Sequence, residues 1–116
     1  MPRRRSGGDR PLEGLRVCSF TAYWAGPYAA AALAALGADV VLVESIQRPD
    51  GMRFMSTRPP SDDLWWEYSG TFHGVNAGKR GITVDIDHPD GRGIVEALLA
   101  RSDVVIENYS PRVMES

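Results

Sequence analysis

The chain has 116 residues, 43% of them apolar, with one cysteine and a formal net charge of −2. That is one domain with a modest core, too apolar for a disordered chain and without the cysteines of a disulfide framework or a thiolate metal cluster. Four of the 13 basic and one of the 15 acidic residues lie in the first ten, so residues 11–116 carry 9 basic and 14 acidic groups, a net of −5, which excludes a basic nucleic-acid-binding face.

Arg3, Arg4, Arg5 and Arg10 make residues 1–10 a basic arm. Its expected state is solvated and disordered, and contact with nucleic acid or an anionic membrane is the sharper alternative. No apolar run approaches the ~18 residues of a membrane span, and no apolar segment backs the basic arm as in a secretory signal. The expected setting is the cytoplasm, with neither nucleic acid nor membrane as partner.

"LRVCSF" (Leu15–Phe20) reads as a strand, with Cys18 a small buried hydrophobe rather than a nucleophile. After the loop "TAYWAG", "PYAAAALAALG" (Pro27–Gly37) is punctuated as a helix. Pro27 suits the first turn, and Gly37 suits the left-handed position past the end. The β-branched run "DVVLVE" (Asp39–Glu44) predicts a strand covered on both faces. Strand, helix and strand in this order make a parallel βαβ unit, right-handed by rule.

Residues 45–76 carry no periodicity and read as a long loop, of the kind that is functional or held by another chain. Trp65, Trp66, Tyr68 and Phe72 within it read as a satellite core, or alternatively as a partner interface. "GITVDI" (Gly81–Ile86) alternates as a third strand. "HPDGRGIVEALLARS" follows as a helix with Ile94, Val95, Leu98 and Leu99 on its apolar face, and "DVVIE" (Asp103–Glu107) is a fourth strand. The fold class is α/β, with Rossmann-like parallel βαβ units.

Glu44, ending the second strand, invites a ribose-hydroxyl role in a dinucleotide site. The loop before the first helix has Gly26 as its only glycine, so the close backbone approach to a pyrophosphate is missing and that reading fails. Lys79, the only lysine, and Arg80 either receive a phosphate or form a solvated turn with an ion pair. His73 and His88 lack metal-ligand spacing, and no serine elbow or paired acids suggest acid–base work. "IENYSP" stands at the carboxyl end of a parallel strand, where ligands gather. Asn108 and Tyr109 are candidates there, against a plain Asn-begun, Pro-closed turn.

The blocks "PLEGLRVCSFT", "AGPYAAAALAALGADVVLVE", "NAGKRGITVDIDHPDGRG" and "SDVVIENYSPRVMES", in that order, resemble the N-terminal segment of the family III CoA-transferases. That family includes formyl-CoA transferase, carnitine CoA-transferase and α-methylacyl-CoA racemase. The resemblance covers residues 11–116. It implies the N-terminal part of a fold in which two identical subunits interlock, a CoA thioester as substrate, and no permanently bound cofactor. It also implies transfer of CoA between an acyl-CoA and a carboxylic acid through an aspartyl nucleophile, a covalent route that divides one hard exchange into easier steps. The racemases of the family move an α-proton instead. The family's catalytic residues fall beyond Ser116, so the resemblance makes this chain a fragment and assigns it no catalytic residue.

The CoA contacts that the resemblance implies fall at Trp24, Ala25, Ser45, Val84, Asp87, Asn108 and Tyr109. Transferases commonly carry glutamine at the place of Trp24, arginine at that of Ser45, lysine at that of Asp87 and serine at that of Gly81. The lost cations are partners for CoA phosphates worth about 1–3 kcal/mol each when well placed. These departures favour an alternative, a non-catalytic CoA-transferase-like half with a structural or interaction role.

Overall fold

The computed structural model describes residues 10–55, 59 and 61–109; the basic arm of residues 1–9 and the end of the fourth block lie outside the described residues. Four strands form one sheet: β1 (Arg16–Phe20), β2 (Asp39–Glu44), β3 (Arg80–Thr83) and β4 (Val104–Glu107). Their spatial order is β3-β2-β1-β4, and every pairing is parallel. Val17 registers with Val40 of β2 on one side and with Val104 of β4 on the other.

Side chains alternate between the faces of each strand, so the middles of the two interior strands place apolar residues on both faces. On one face Val17 and Val40 pack with Ala30, Ala34 and Ala38 under helix α1 (Ala25–Ala35). Ala30 is fully buried, and its methyl-sized side chain allows the helix to sit close to the sheet. On the other face Cys18, Val43 and Val84 pack with Val95 and Leu98 of helix α3 (Pro89–Ala100). The expected apolar face of α3 is thus narrower than the spacing suggests. Ile94 and Leu99 are exposed, while Val95 and Leu98 make the contacts with the sheet.

The βαβ reading holds for β1-α1-β2, which are neighbours. The second unit differs, because α3 carries the chain from β3 at one edge past β2 and β1 to β4 at the other. The described residues between 45 and 76 are also more ordered than their composition suggests. They contain 3₁₀ turns at Gly51–Phe54 and Trp65–Glu67, and helix α2 (Gly70–Val75). Ser69 caps α2 by accepting from the Phe72 amide at 3.0 Å and donates to the Met52 carbonyl at 2.6 Å. Leu42, Met52 and Phe72 then form a small third core. Periodicity missed this segment because its order comes from contacts between short turns, which leave no repeat.

Trp65 packs on Phe54 with ring centroids 4.6 Å apart and meets Trp66 edge-on at 6.0 Å. The aromatic group is half core and half surface, since Phe72 is buried while Trp66 and Tyr68 are exposed. No helix among the described residues is long and apolar enough to cross a membrane.

Two glycines of α3 separate packing from helix propensity. A Cβ on Gly91 would run into the Asp85 carbonyl oxygen, whereas one on Gly93 would meet nothing within 4 Å. Urea unfolding of Gly91→Ala is expected to show a loss of about 1–3 kcal/mol, from overpacking. Gly93→Ala is expected to gain up to about 1 kcal/mol, from helix propensity. Equal effects would contradict the close approach of α3 to the β3 end.

Candidate functional site

In a parallel sheet all the loops that follow the strands emerge at one edge, and ligands bind where neighbouring connections leave on opposite faces. Here the chain leaves β1 into α1 on one face of the sheet and leaves β3 into α3 on the other. Along this carboxyl edge runs an open cavity of about 410 Å³ lined by segments after all four strands. They include Thr21–Tyr23, residues from Glu44 to Gly51, Val84–Asp87 and Tyr109.

A buried polar knot supports the cavity from below. Arg53 grips Glu44 with two hydrogen bonds, Nε to Oε2 at 2.7 Å and Nη2 to Oε1 at 2.8 Å. Its third contact donates from Nη1 to the Trp66 carbonyl at 2.7 Å, and its guanidinium lies 3.8 Å over the Phe72 ring centroid. Burial opposes the arginine's charge, but the hydrogen bond and charge of Glu44 outweigh it and hold its pKa above the ordinary value. Glu44 Oε2 also accepts the Asp50 amide at 2.8 Å. Each carboxylate oxygen therefore already accepts from an internal donor.

Asp50 is itself buried, at 5% exposure. Its Oδ1 accepts from the Tyr23 amide at 3.1 Å and the Met52 amide at 2.9 Å, while Oδ2 has no hydrogen-bond partner among the described residues. Burial raises its pKa, assisted by the Glu44 charge and opposed by the two amides and Arg53. Tyr109 has its phenol pKa raised by burial and by the charges of Asp50 and Glu44. Cys18 is raised by burial alone, which makes it an inert core thiol.

Lys79 and Arg80 diverge. Arg80 pairs with Asp39 at 2.6 Å on the surface. Lys79 turns inward and donates to the Pro27 carbonyl at 2.9 Å and to Asn76 Oδ1 at 2.6 Å. Burial lowers its pKa to about 8, with the Asp50 charge resisting. Neither residue lines the cavity, and each is engaged within the protein instead of facing a phosphate. His73 and His88 serve local backbone: His73 Nε2 lies 2.8 Å from the Glu67 carbonyl, and His88 Nδ1 accepts the Asp90 amide at 3.1 Å.

Residues 12–116 match CoA-transferase family III. The chain belongs to that family. It is 42% identical to the succinyl-CoA:mesaconate CoA-transferase of Haloarcula hispanica, over 90% of this chain and 26% of that protein. It is 38% identical to the succinate–glutarate CoA-transferase of Agrobacterium fabrum, over 94% of this chain and 26% of that protein. A CaiB/BaiF family protein from Brucella suis has a crystal structure that superposes with a TM-score of 0.76 at 40% identity, covering 90% of this chain and 27% of that one. The chain thus spans about a quarter of the length of these relatives.

Of the seven positions that the family pattern singles out, Ser45, Val84, Asp87 and Tyr109 line the cavity. Trp24, Ala25 and Asn108 do not. Trp24 projects outward at 56% exposure. Asn108 spends its amide on β1's loop, accepting the Ala22 amide at 3.1 Å and donating to the Ala22 carbonyl at 2.9 Å. It ties the β4 end to the β1 end, and its Cγ stands 2.8 Å from where a Cβ on Gly26 would sit. Gly26 therefore serves close side-chain packing at the start of α1. Four cavity residues were not legible as a set: Tyr23, Arg48, Asp50 and Arg92. Arg48 and Asp50 fell within the stretch that reads as a long loop.

The knot yields two expectations. Replacing Arg53 by Met leaves Glu44 buried and unpaired, so urea unfolding should show a loss of about 3–5 kcal/mol. The double variant Glu44→Gln/Arg53→Met should recover part of that, and a strictly additive double would deny the coupling. For Lys79, the unfolded chain binds its proton up to about 10.5 and the folded chain only up to about 8. Between those values the unfolded state holds more protons, so this residue's contribution raises stability as pH rises. Unfolding free energies measured across that window should climb for the native chain relative to Lys79→Met; a flat difference would contradict the burial.

Proposed function

We propose that this chain forms one wall of the CoA site of an acyl-CoA transferase, which moves CoA between an acyl-CoA and a carboxylic acid. The observation that carries this reading is the cavity at the carboxyl edge, where Ser45, Val84, Asp87 and Tyr109 converge from three different loops. Family membership supplies the ligand class, and the position at the carboxyl edge of a parallel sheet supplies the reason for a ligand to sit there. Arg48 and Arg92 line the same cavity and offer guanidinium forks for phosphate, in place of the cations common at positions 45 and 87. Tyr109 offers a ring face to a heterocycle.

In this reading the nucleophile is an aspartate outside the chain. Its carboxylate attacks the thioester carbonyl and expels the CoA thiolate, giving a mixed anhydride. The thiolate then attacks the aspartyl carbonyl, releases the donor acid and leaves CoA on the enzyme, ready for an acceptor carboxylate. What this chain contributes is binding and orientation. We further propose that it acts in the cytosol and as part of an interlocked homodimer; the exposed Leu64 and Trp66 support the homodimer by offering apolar surface for a partner to cover.

A second reading has its own observation. Ser45 and Asp87 put a neutral and an acidic group on the cavity wall, which suits a non-catalytic half that keeps the fold and has lost CoA. Calorimetric titration of CoA into the chain separates the two. The transferase reading expects saturable binding, weakened on the order of tenfold by Arg92→Ala and by Tyr109→Ala. Absence of saturable heat, in a chain whose fold is intact by circular dichroism, would support the non-catalytic half.

A further inference from the structure

Tyr23 has φ of 70°, in the left-handed region that bulky side chains avoid. Such strain persists only where the surroundings over-determine it, and it clusters where a ligand is clamped. Asp50 and Gly51 are the surroundings. The Asp50 carboxylate accepts the Tyr23 amide at 3.1 Å, across 27 residues of chain, and the Met52 amide at 2.9 Å. Its own amide is fixed at 2.8 Å on Glu44, which Arg53 holds in turn. Gly51 supplies the space, because a Cβ there would collide with the Tyr23 hydroxyl and ring edge. The Tyr23 ring therefore lies along the backbone of Gly51, and both residues line the cavity.

We propose that Asp50 and Gly51 are positioning residues for ligand binding: together they latch the turn after β1 in its strained form, so that Tyr23 stands as a fixed cavity wall. This rests on the CoA-site reading for the identity of the ligand, although the latch itself does not. A side-chain acceptor oxygen is required for a physical reason. A carboxylate oxygen accepts two amides at once, and a buried one is held rigidly by them. A latch formed before binding removes the ordering cost that a loose turn adds to every binding event.

Two readouts test the proposal, one without ligand and one with it. Amide hydrogen exchange by NMR reports the Tyr23 amide directly, and calorimetry with CoA reports its consequence. Asp50→Ala is expected to speed Tyr23 exchange and weaken CoA binding, each on the order of tenfold or more. Asp50→Asn keeps an acceptor oxygen for the two amides and should restore most of both. Gly51→Ala provides a variant that leaves the acid in place; it should displace the Tyr23 ring and weaken CoA binding while the chain stays folded.

Unchanged Tyr23 exchange in a folded Asp50→Ala would overturn the latch. Faster exchange in Asp50→Ala, or a folded Gly51→Ala, with CoA affinity unaltered would overturn its role in binding and leave a merely structural contact. Should the unaltered chain bind no CoA, the CoA-site reading fails and the binding role fails with it. The exchange data then still decide the latch by themselves.

Discussion

Parallel pairing of β1 with both β2 and β4 is the constraint on which the rest of this structure depends. A strand with parallel neighbours on each side sends its chain across a face, so both faces need cover. In this chain the cover is unequal: α1 lies close on small alanines, and α3 crosses more loosely with one row of contacts. The segments that follow the four strands meet along one edge of the sheet and leave a crevice there.

Behind that crevice, whose lining includes Phe20, Leu42 and Val43, runs a chain of buried polar groups. Arg53, Glu44, Asp50 and the Tyr23 amide follow one another at hydrogen-bond distance. A buried ion pair adds little net stability compared with well-packed apolar groups, but removing one partner is expensive. Such a knot therefore holds geometry more than it adds stability. It joins the loop after β2 to the loop after β1, while Asn108 joins the β4 end to the same loop through Ala22. The β1 loop is thus held from both sides, and the strained Tyr23 sits between the two attachments.

Several features were open to inspection in the sequence. "DVVLVE" reads as a doubly covered strand, and it is one, with Val40 on the α1 face and Val43 on the α3 face. Pro27 and Gly37 bracket α1 within two residues at each end. The family likewise follows from ordered blocks at characteristic spacing. Residues 45–76 were illegible for the opposite reason: short turns and a six-residue helix bury residues through contacts with one another, without period. Asn108 shows a subtler limit. Its residue type and place both suit a ligand contact, yet its amide is spent on the backbone of Ala22.

The sequence by itself determined the fold class, the strands and the family, because periodicity, caps and block order are local or ordered along the chain. Only the tertiary structure decided which polar groups face the cavity and which are consumed inside. Lys79 and Asn108 are committed to internal partners, while Tyr23 and Asp50 meet from segments 27 residues apart. The physical reason is that a hydrogen bond between distant segments leaves no mark on either one. An aspartate in "RPDG" looks the same whether it closes a solvated turn or lies buried as the anchor of another loop.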